Sequence, residues 1–260
     1  MKKYYRKPHQ YKKKKSIFRK KFLALLFLIL AIAGAIFYGL FFWKVFWVEK
    51  VIISGEQKIT KEDIGFLVDK ELENKALFLA TKSIWSVNTN KIKEDILNAF
   101  PQIAAAEVRK NFFDAISVQI TERVPLALWC EAERCFLLDE DGIIFEDASD
   151  DPELVIIKDD NFIEELFLGK AVIKKDALAQ ILKIESKLIE INILINKALI
   201  ISDERLNIET KEGWEIYFNL KGNLDWQSKE LKLTIEDRIS AEKRQELEYI
   251  DLRFSRVYYK

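Results

Sequence analysis

Hydrophobic and polar residues alternate in different ways along the chain, and the first pattern is an uncharged run of 22 residues from Phe22 to Trp43. At about 1.5 Å per residue, a helix of this length extends roughly 33 Å, enough to cross a hydrocarbon core of about 30 Å. The 21 residues before it contain eleven Lys or Arg and no acid. Because basic flanks stay on the cytoplasmic side, we expect a cytoplasmic tail at 1–21, a transmembrane helix at 22–43 and an extracytoplasmic remainder.

The same run also has to be compared with a cleaved signal peptide. A signal peptide has an apolar region of about 7 to 15 residues, followed by small residues at the cleavage site. Here the apolar run is longer, and its small residues lie in its middle. Its C-terminal end is instead rich in large aromatic residues: Phe41, Phe42, Trp43, Phe46 and Trp47. The pattern therefore favours a retained anchor.

The residues after the span change between strand and helix periodicity within a short distance. Stripes of Ile, Leu and Val three and four residues apart predict helices, and strict alternation with polar residues predicts strands. Pro101 marks the end of the second helix. Between residues 44 and 124, the predicted order is strand 48–55, helix 60–72, helix 89–100, strand 104–108 and strand 116–120.

Residues 125–260 show mostly strand patterns, with two amphipathic helices among them. The last of these strands is predicted to run without a break from Tyr249 to Tyr259, with Ile250, Leu252 and Phe254 on one face. The predicted fold class is α+β. The predicted elements are a hairpin of 126–130 and 135–139, strand 143–145, helix 174–191, strands 198–202, 205–210 and 214–219, helix 225–240 and strand 249–259.

The two cysteines of the chain, Cys130 and Cys135, bracket residues 131–134 between apolar runs, which predicts a tight hairpin with both thiols near its turn. An extracytoplasmic pair at this spacing is a candidate disulfide. Two small apolar strand residues explain the pattern equally well, so both interpretations stay open. No histidine follows the span, so a Cys/His zinc site is not expected, and no metal site is predicted.

The balanced net charge hides a division between the tail and the rest. The tail holds eleven of the 42 basic residues, which leaves 31 against 42 acids, or −11, for residues 44–260. Tyr4, Tyr5 and Tyr11 lie among the basic residues of the tail, a mixture also found in nucleic-acid-binding segments. A basic flank beside a span more often reflects orientation and attraction to anionic lipid. We therefore expect no nucleic-acid partner.

Catalytic chemistry has few candidate residues beyond the span. The single histidine, His9, lies in the tail, so a Ser-His-Asp or Cys-His arrangement cannot form outside the membrane. Asp139 and Asp141 are the obvious carboxylate pair for a hydrolase. Asp and Gly in the sequence Asp139-x-Asp141-Gly142 also suit a hairpin turn. We expect a protein without catalytic residues or cofactors.

Several short motifs occur in one order behind the basic tail and the span. They are Glu122-Arg123-x-Pro125, the hairpin sequence 139–142 and the terminal Ile250-Asp251-Leu252-Arg253-Phe254. In this order the chain resembles the FtsQ/DivIB family of bacterial cell-division proteins, with a POTRA domain at 44–124 and a β domain at 125–260. One departure is residues 111–114, where the family usually has Pro after the aromatic residue.

The resemblance implies a bitopic, non-catalytic divisome scaffold in the cell inner membrane at the division septum. In the family, the final strand of the β domain pairs with FtsB, or DivIC in other lineages, which is joined to FtsL. The family's aromatic contact position after the sequence "DLR" matches Phe254, although strand parity alone places this side chain in the core. The residues expected to bind the partner are Arg253, Phe254, Ser255, Arg256, Val257 and Tyr258.

Two other functions remain open at this point. POTRA domains also occur in protein-transport and outer-membrane assembly proteins, usually as several units or with a barrel, and neither is visible in this sequence. A membrane-anchored cell-wall enzyme would use carboxylates such as Asp139 or Asp141.

Overall fold

The computed structural model describes residues 17–73, 82–111, 114–148 and 154–260. Helix α1 extends over Ile17–Phe42, and a 3₁₀ turn at Lys44–Phe46 leads into the first domain. The part Lys20–Phe42 has a mean hydropathy of 2.6 and is long and apolar enough to cross a membrane. Residues 1–16, which contain His9 and the tail tyrosines, lie outside the described residues, as do Phe112 and Phe113.

The first domain has the predicted βααββ order. In the described residues its sheet has the strand order β1-β3-β2, with β1 parallel to β3 and β2 antiparallel to it. The side chain of Asn88 caps the second helix by accepting a hydrogen bond from Lys91 N at 3.2 Å. The elements are β1 (Lys50–Ser54), α2 (Lys61–Glu73), α3 (Thr89–Ala99), β2 (Ile103–Asn111) and β3 (Ala115–Glu122).

The inward faces of these elements form one core. Ile64 and Val68 of α2 and Ile96 of α3 are buried against Ile116 and Val118 of β3. The opposite face of β3 carries Ser, Gln and Thr, as its alternation predicts. The two helices therefore cover one face of the sheet.

The second domain consists of a long sheet and helices packed on one of its faces. Among the described residues, nine strands follow the order β12-β11-β10-β9-β8-β7-β4-β5-β6. The elements are β4 (Ala127–Glu131), β5 (Arg134–Leu138), β6 (Ile144–Ala148), β7 (Val155–Asp159), α4 (Lys175–Glu190), β8 (Ile195–Ile200), β9 (Arg205–Thr210), β10 (Glu215–Asn219), α5 (Leu224–Arg238), α6 (Ala241–Gln245), β11 (Tyr249–Asp251) and β12 (Tyr258–Tyr259).

The core of this domain lies between the sheet and helices α4 and α5. Ile181 and Ile184 of α4 and Leu231 of α5 are buried against Ile216 and Ile250 of the sheet. Residues at alternate positions point to the other face, because successive strand side chains alternate. This second face carries the polar and aromatic residues of the last strands.

The prediction for the end of the chain was wrong in one respect. The expected continuous strand over 249–259 is divided into β11 and β12, and the second strand folds back against the first. Asp251 Oδ1 accepts a hydrogen bond from Arg253 N at 3.1 Å, a local turn that ends β11. The proposed inward face therefore holds for Ile250 and Leu252, which are buried, but not for Phe254, which is 54% exposed.

The two domains meet at Arg123 and Asp139, whose side chains are paired and almost buried. Arg123 Nε also donates to Pro101 O at 3.0 Å. Asp139 Oδ1 accepts hydrogen bonds from Asp141 N at 3.0 Å and from Ile143 N at 2.8 Å. The arginine of the "ERxP" motif thus links the first domain to the turn that precedes β6.

The neighbouring Glu122 holds the loop between β1 and α2. Its carboxylate accepts hydrogen bonds from the backbone N–H groups of Gln57, Lys58 and Ile59, at 2.7, 3.0 and 3.1 Å. Burial raises the pKa of Glu122, but these three donors outweigh it and hold the pKa below its usual value. The chain enters this loop at Gly55, with φ +92°, where a Cβ would lie 2.1 Å from Ile120 O.

Candidate functional site

The candidate site is the end of the large sheet formed by β10, β11 and β12. Strand β11 runs parallel to β10, and β12 runs antiparallel to β11. Lys260 N donates to Tyr249 O at 3.1 Å, and Tyr249 N donates to Lys260 O at 3.3 Å. The backbone of Lys260 therefore points inward, toward β11.

The backbone of Tyr259 points the other way. In an antiparallel ladder, successive residues alternate between pairs that exchange hydrogen bonds and pairs that do not. Since Lys260 and Tyr249 exchange bonds, the adjacent pair Tyr259 and Ile250 is the non-bonded kind, and Tyr258 and Asp251 are the bonded kind. The N–H and C=O of Tyr259 are directed away from the sheet, where another strand can pair with them.

The side chains beside this edge form a cluster of one arginine and several aromatic rings, which we call the terminal patch. The Arg253 guanidinium lies 5.4 Å from the ring centres of both Tyr217 and Phe254. The Phe254 ring meets Tyr258 edge to face at 5.9 Å, and Tyr217 stacks on Tyr249 at 5.3 Å. Tyr217, Asp251 and Tyr258 are direct neighbours on three adjacent strands. The patch therefore presents rigid rings and a cation beside an open strand edge.

Arg253 is held in this position by Asp251. Its Nε and Nη2 donate to the two carboxylate oxygens at 2.9 and 2.6 Å. Burial raises the pKa of Asp251, but the hydrogen bonds from Arg253 and the charges of Arg253 and Arg205 outweigh it, so the pKa is lowered. The pKa of Arg253 is raised by the same hydrogen-bonded pair. A two-bond arginine–carboxylate pair fixes the direction of the guanidinium.

The six residues predicted to bind a partner lie in and around this patch, but they do not share one orientation. Phe254 and Tyr258 are each 54% exposed, and Arg253 is half-buried. Ser255 and Arg256 are exposed in the loop between β11 and β12. Val257 differs from the rest, since it is partly buried against the core of the second domain.

Sequence reasoning did not select Tyr217, Tyr249 or Tyr259. Tyr217 alternates with buried Ile216 and Phe218 in β10, and this signal was enough to place it on the outer face. Its position opposite Asp251 depends on the pairing of β10 with β11, which are separated by α5 and α6 in the sequence. The residues of the terminal patch are therefore brought together by the pairing of strands that are distant in the sequence.

A groove of about 380 Å³ adjoins the terminal patch. It lies between the first turn of α5, where Trp226 is half-buried, and the loop after β11. Leu252, Arg253, Phe254 and Ser255 form the side of the groove that is continuous with the patch. Apolar surface and hydrogen-bonding groups are therefore available together at this end of the sheet.

The cysteines and the carboxylate pair have structural positions elsewhere in the second domain. Cys130 and Cys135 are opposite each other in the β4–β5 hairpin, with Cα atoms 4.1 Å apart, and form a disulfide. Asp141 Oδ1 pairs with Lys175 Nζ at 2.7 Å, and this hydrogen bond lowers the pKa of Asp141. Gly142 completes the turn with φ +76°, where a Cβ would lie 2.0 Å from Ile173 O. The "DxDG" sequence thus forms a turn and an interdomain contact.

Comparison with known proteins agrees with this architecture. The family model for the POTRA domain of FtsQ type matches residues 46–123, and the model for the C-terminal part of cell division protein FtsQ/DivIB matches residues 127–253. The cell division protein FtsQ of Bradyrhizobium diazoefficiens is 25% identical over 175 residues, covering 66% of this chain and 44% of that protein.

Two further relatives carry the same name. The cell division protein FtsQ of Streptomyces bingchenggensis is 24% identical over 143 residues, covering 54% of this chain and 51% of that protein. That of Mycobacteroides abscessus is 25% identical over 130 residues, covering 50% of this chain and 39% of that protein. The chain thus spans about half, or less, of the length of the relatives it matches.

An apolar helix long enough to cross a membrane, a POTRA domain of FtsQ type and a β-rich domain together define a class of cell-division proteins. The two family models together cover most of the chain. The chain belongs to the FtsQ/DivIB family.

Proposed function

We propose that this protein is a non-catalytic scaffold of the bacterial divisome, which binds an FtsB- or DivIC-like protein, together with its FtsL-like companion, at the terminal patch. The observation that carries the proposal is the outward-directed backbone of Tyr259 beside the exposed rings of Phe254 and Tyr258. A partner strand that pairs with β12 gains affinity from main-chain hydrogen bonds and specificity from side-chain contacts.

The arrangement of charges supports the same mode of binding. Arg253 is directed by Asp251 toward the rings of the patch, and Arg256 is exposed in the adjoining loop. Arginine and tyrosine are, with tryptophan, the residue types most enriched among the residues that dominate binding energy at protein interfaces. A partner segment with apolar side chains and an acidic group complements this surface.

The proposed location follows from the family and the apolar helix. Helix α1 anchors the protein in the cytoplasmic membrane with the basic tail inside, and the POTRA and β domains lie outside, at the division septum. Asp139 and Asp141, the carboxylates that a hydrolase function would require, hold a turn and an interdomain contact. These structural roles support a scaffold without turnover.

The experiment that tests the proposal is to measure binding of the FtsB- or DivIC-like protein from the same organism to the full chain and to the variant Tyr259→Pro. Proline removes the outward N–H and leaves the inward bonds of Lys260 in place. We expect weaker capture, by about 1 kcal/mol or roughly fivefold, because one interstrand hydrogen bond is lost.

The matched control is Tyr259→Ala, which retains the backbone donor and removes only the side chain. If both variants lose affinity equally, the side chain and not strand pairing is responsible. Binding that is unchanged in Tyr259→Pro, with Lys260 still protected from amide exchange, would place the docking surface elsewhere. The change Ser255→Pro is a weaker test, since Ser255 lies in the loop between β11 and β12.

A further inference from the structure

A loop of the POTRA domain is bonded to the end of helix α1. In residues 82–88, Ser83 Oγ donates to Leu40 O at 2.8 Å, and Ile84 N donates to Phe46 O at 2.7 Å. Ser83 is fully buried in this contact. The loop is therefore held by hydrogen bonds to the backbone of the helix end, at Leu40, and of the 3₁₀ turn that follows it, at Phe46.

These contacts fix the level of the loop along the helix axis. Leu40 lies two residues before the last residue of α1, Phe42, which corresponds to about 3 Å of helix rise. Leu40 also belongs to the stretch Lys20–Phe42 that is long and apolar enough to cross a bilayer. Ser83 therefore lies at the level where the helix leaves the hydrocarbon region, and the ring of Trp85, two residues later, lies 6.4 Å from that of Phe46.

The side chains exposed at this level are aromatic, apolar and basic. Trp43, Val45 and Trp85 are 64%, 53% and 52% exposed. Lys44 and Lys82 are exposed beside them. We call these five residues the juxtamembrane collar. Tryptophan rings settle at the headgroup level of a bilayer, and lysines there are attracted to anionic phosphates.

We propose that the juxtamembrane collar binds the lipid headgroups of the outer leaflet and holds the POTRA domain against the membrane. The bilayer is the occupant because the collar adjoins the point where an apolar helix emerges, and Trp85 is tied to that point through Ser83. This inference requires that α1 crosses a bilayer, and it is independent of partner binding at the terminal patch.

The test uses the full chain in vesicles of phosphatidylethanolamine and phosphatidylglycerol that contain a lipid with a nitroxide near its headgroup. Single cysteines replace Trp85, Val45 or Ser255 and carry an environment-sensitive fluorophore. Cys130 and Cys135 are joined to each other, so that only the introduced thiol reacts. Ser255 is the matched control, since it is exposed at the far end of the large sheet.

We expect the label in Trp85→Cys to show a blue-shifted emission and to be quenched to the same extent as in Val45→Cys, while the label in Ser255→Cys is not quenched. A second variant in the same loop, Lys82→Cys, is expected to behave as Trp85→Cys and guards against a local defect. Labels at 82 and 85 that behave like the one at 255 would overturn the proposal. Absence of quenching at 45 would also overturn it, because the helix end would then lie away from the headgroups.

Discussion

The two edges of the large sheet differ in how their backbone groups are used. At the β6 edge, Ile144 N donates to Lys170 O at 3.0 Å and Gly169 N donates to Ile144 O at 2.7 Å, so that a neighbouring segment covers part of the strand. At the β12 edge, the backbone of Tyr259 is directed outward. Exposed sheet edges are sites of unwanted strand pairing, and proteins usually cover them. One edge of this sheet is covered, and the other is short and surrounded by aromatic rings.

The covered edge is also the one that faces the POTRA domain. Lys58 Nζ lies 3.6 Å from Glu146 Oε2 in β6, and the buried Arg123–Asp139 pair lies just before that strand. At the β12 edge, the Asp251–Arg253 pair leaves its arginine half-exposed among rings. The same pair of residue types therefore joins domains at one edge and presents a surface at the other. Exposure of the arginine decides which role is possible.

The largest effect is expected from Asp139→Ala, which acts at the covered edge. The change leaves Arg123 buried without its counter-charge and removes the acceptor of two backbone N–H groups. We expect a loss of about 3–5 kcal/mol in the free energy of unfolding of the full chain, measured in detergent with urea. The control Asp141→Ala breaks only an exposed pair with Lys175, and its expected loss of stability is much smaller than that of Asp139→Ala. Equal losses of stability in both variants would show that the buried Arg123–Asp139 pair contributes no more to stability than the exposed pair.

A smaller effect, on binding instead of stability, is expected from Phe254→Ala at the open edge. Phe254 is an exposed ring in contact with Arg253 and Tyr258, and truncation of a central aromatic contact costs about 2 kcal/mol, or roughly 30-fold in affinity. The matched control is Phe167→Ala, whose ring is 61% exposed in the segment before the one that covers β6. We expect no change in partner affinity for the control. Similar losses in both would show that the terminal patch is not the binding surface.

The smallest effect on stability is expected when the pH is lowered far enough to protonate Asp251. The pKa of Asp251 is lower in the folded protein than in the unfolded chain, so its contribution to stability is complete above the unfolded pKa of about 3.9. The contribution is lost as the pH falls below that value, through the folded pKa. We expect the NMR signal of the Arg253 amide, which donates to Asp251, to titrate below pH 4 and to stop titrating there in Asp251→Asn. A midpoint above 4 would contradict the lowered pKa.

The sequence predicted the POTRA domain almost completely, because its helices and strands follow clear periodicities. In the β domain it missed β7, and the break between β11 and β12 was the main error. The alternation of side chains would place Phe254 in the core only if the strand continued past Asp251. The hydrogen bond from Arg253 N to Asp251 forms a turn that ends the strand. An aspartate at the end of a strand was the available signal. The covered and open edges could not be predicted, since they depend on pairing between distant segments.

The most direct test of the account is site-specific photocrosslinking in dividing cells that depend on this protein. A benzophenone side chain replaces Tyr258 at the open edge or Phe167 near the covered edge, both of which are exposed. If the partner binds at the terminal patch, a crosslink to the FtsB- or DivIC-like protein forms from position 258 and none forms from position 167. A crosslink to that protein from position 167, with none from position 258, would contradict it.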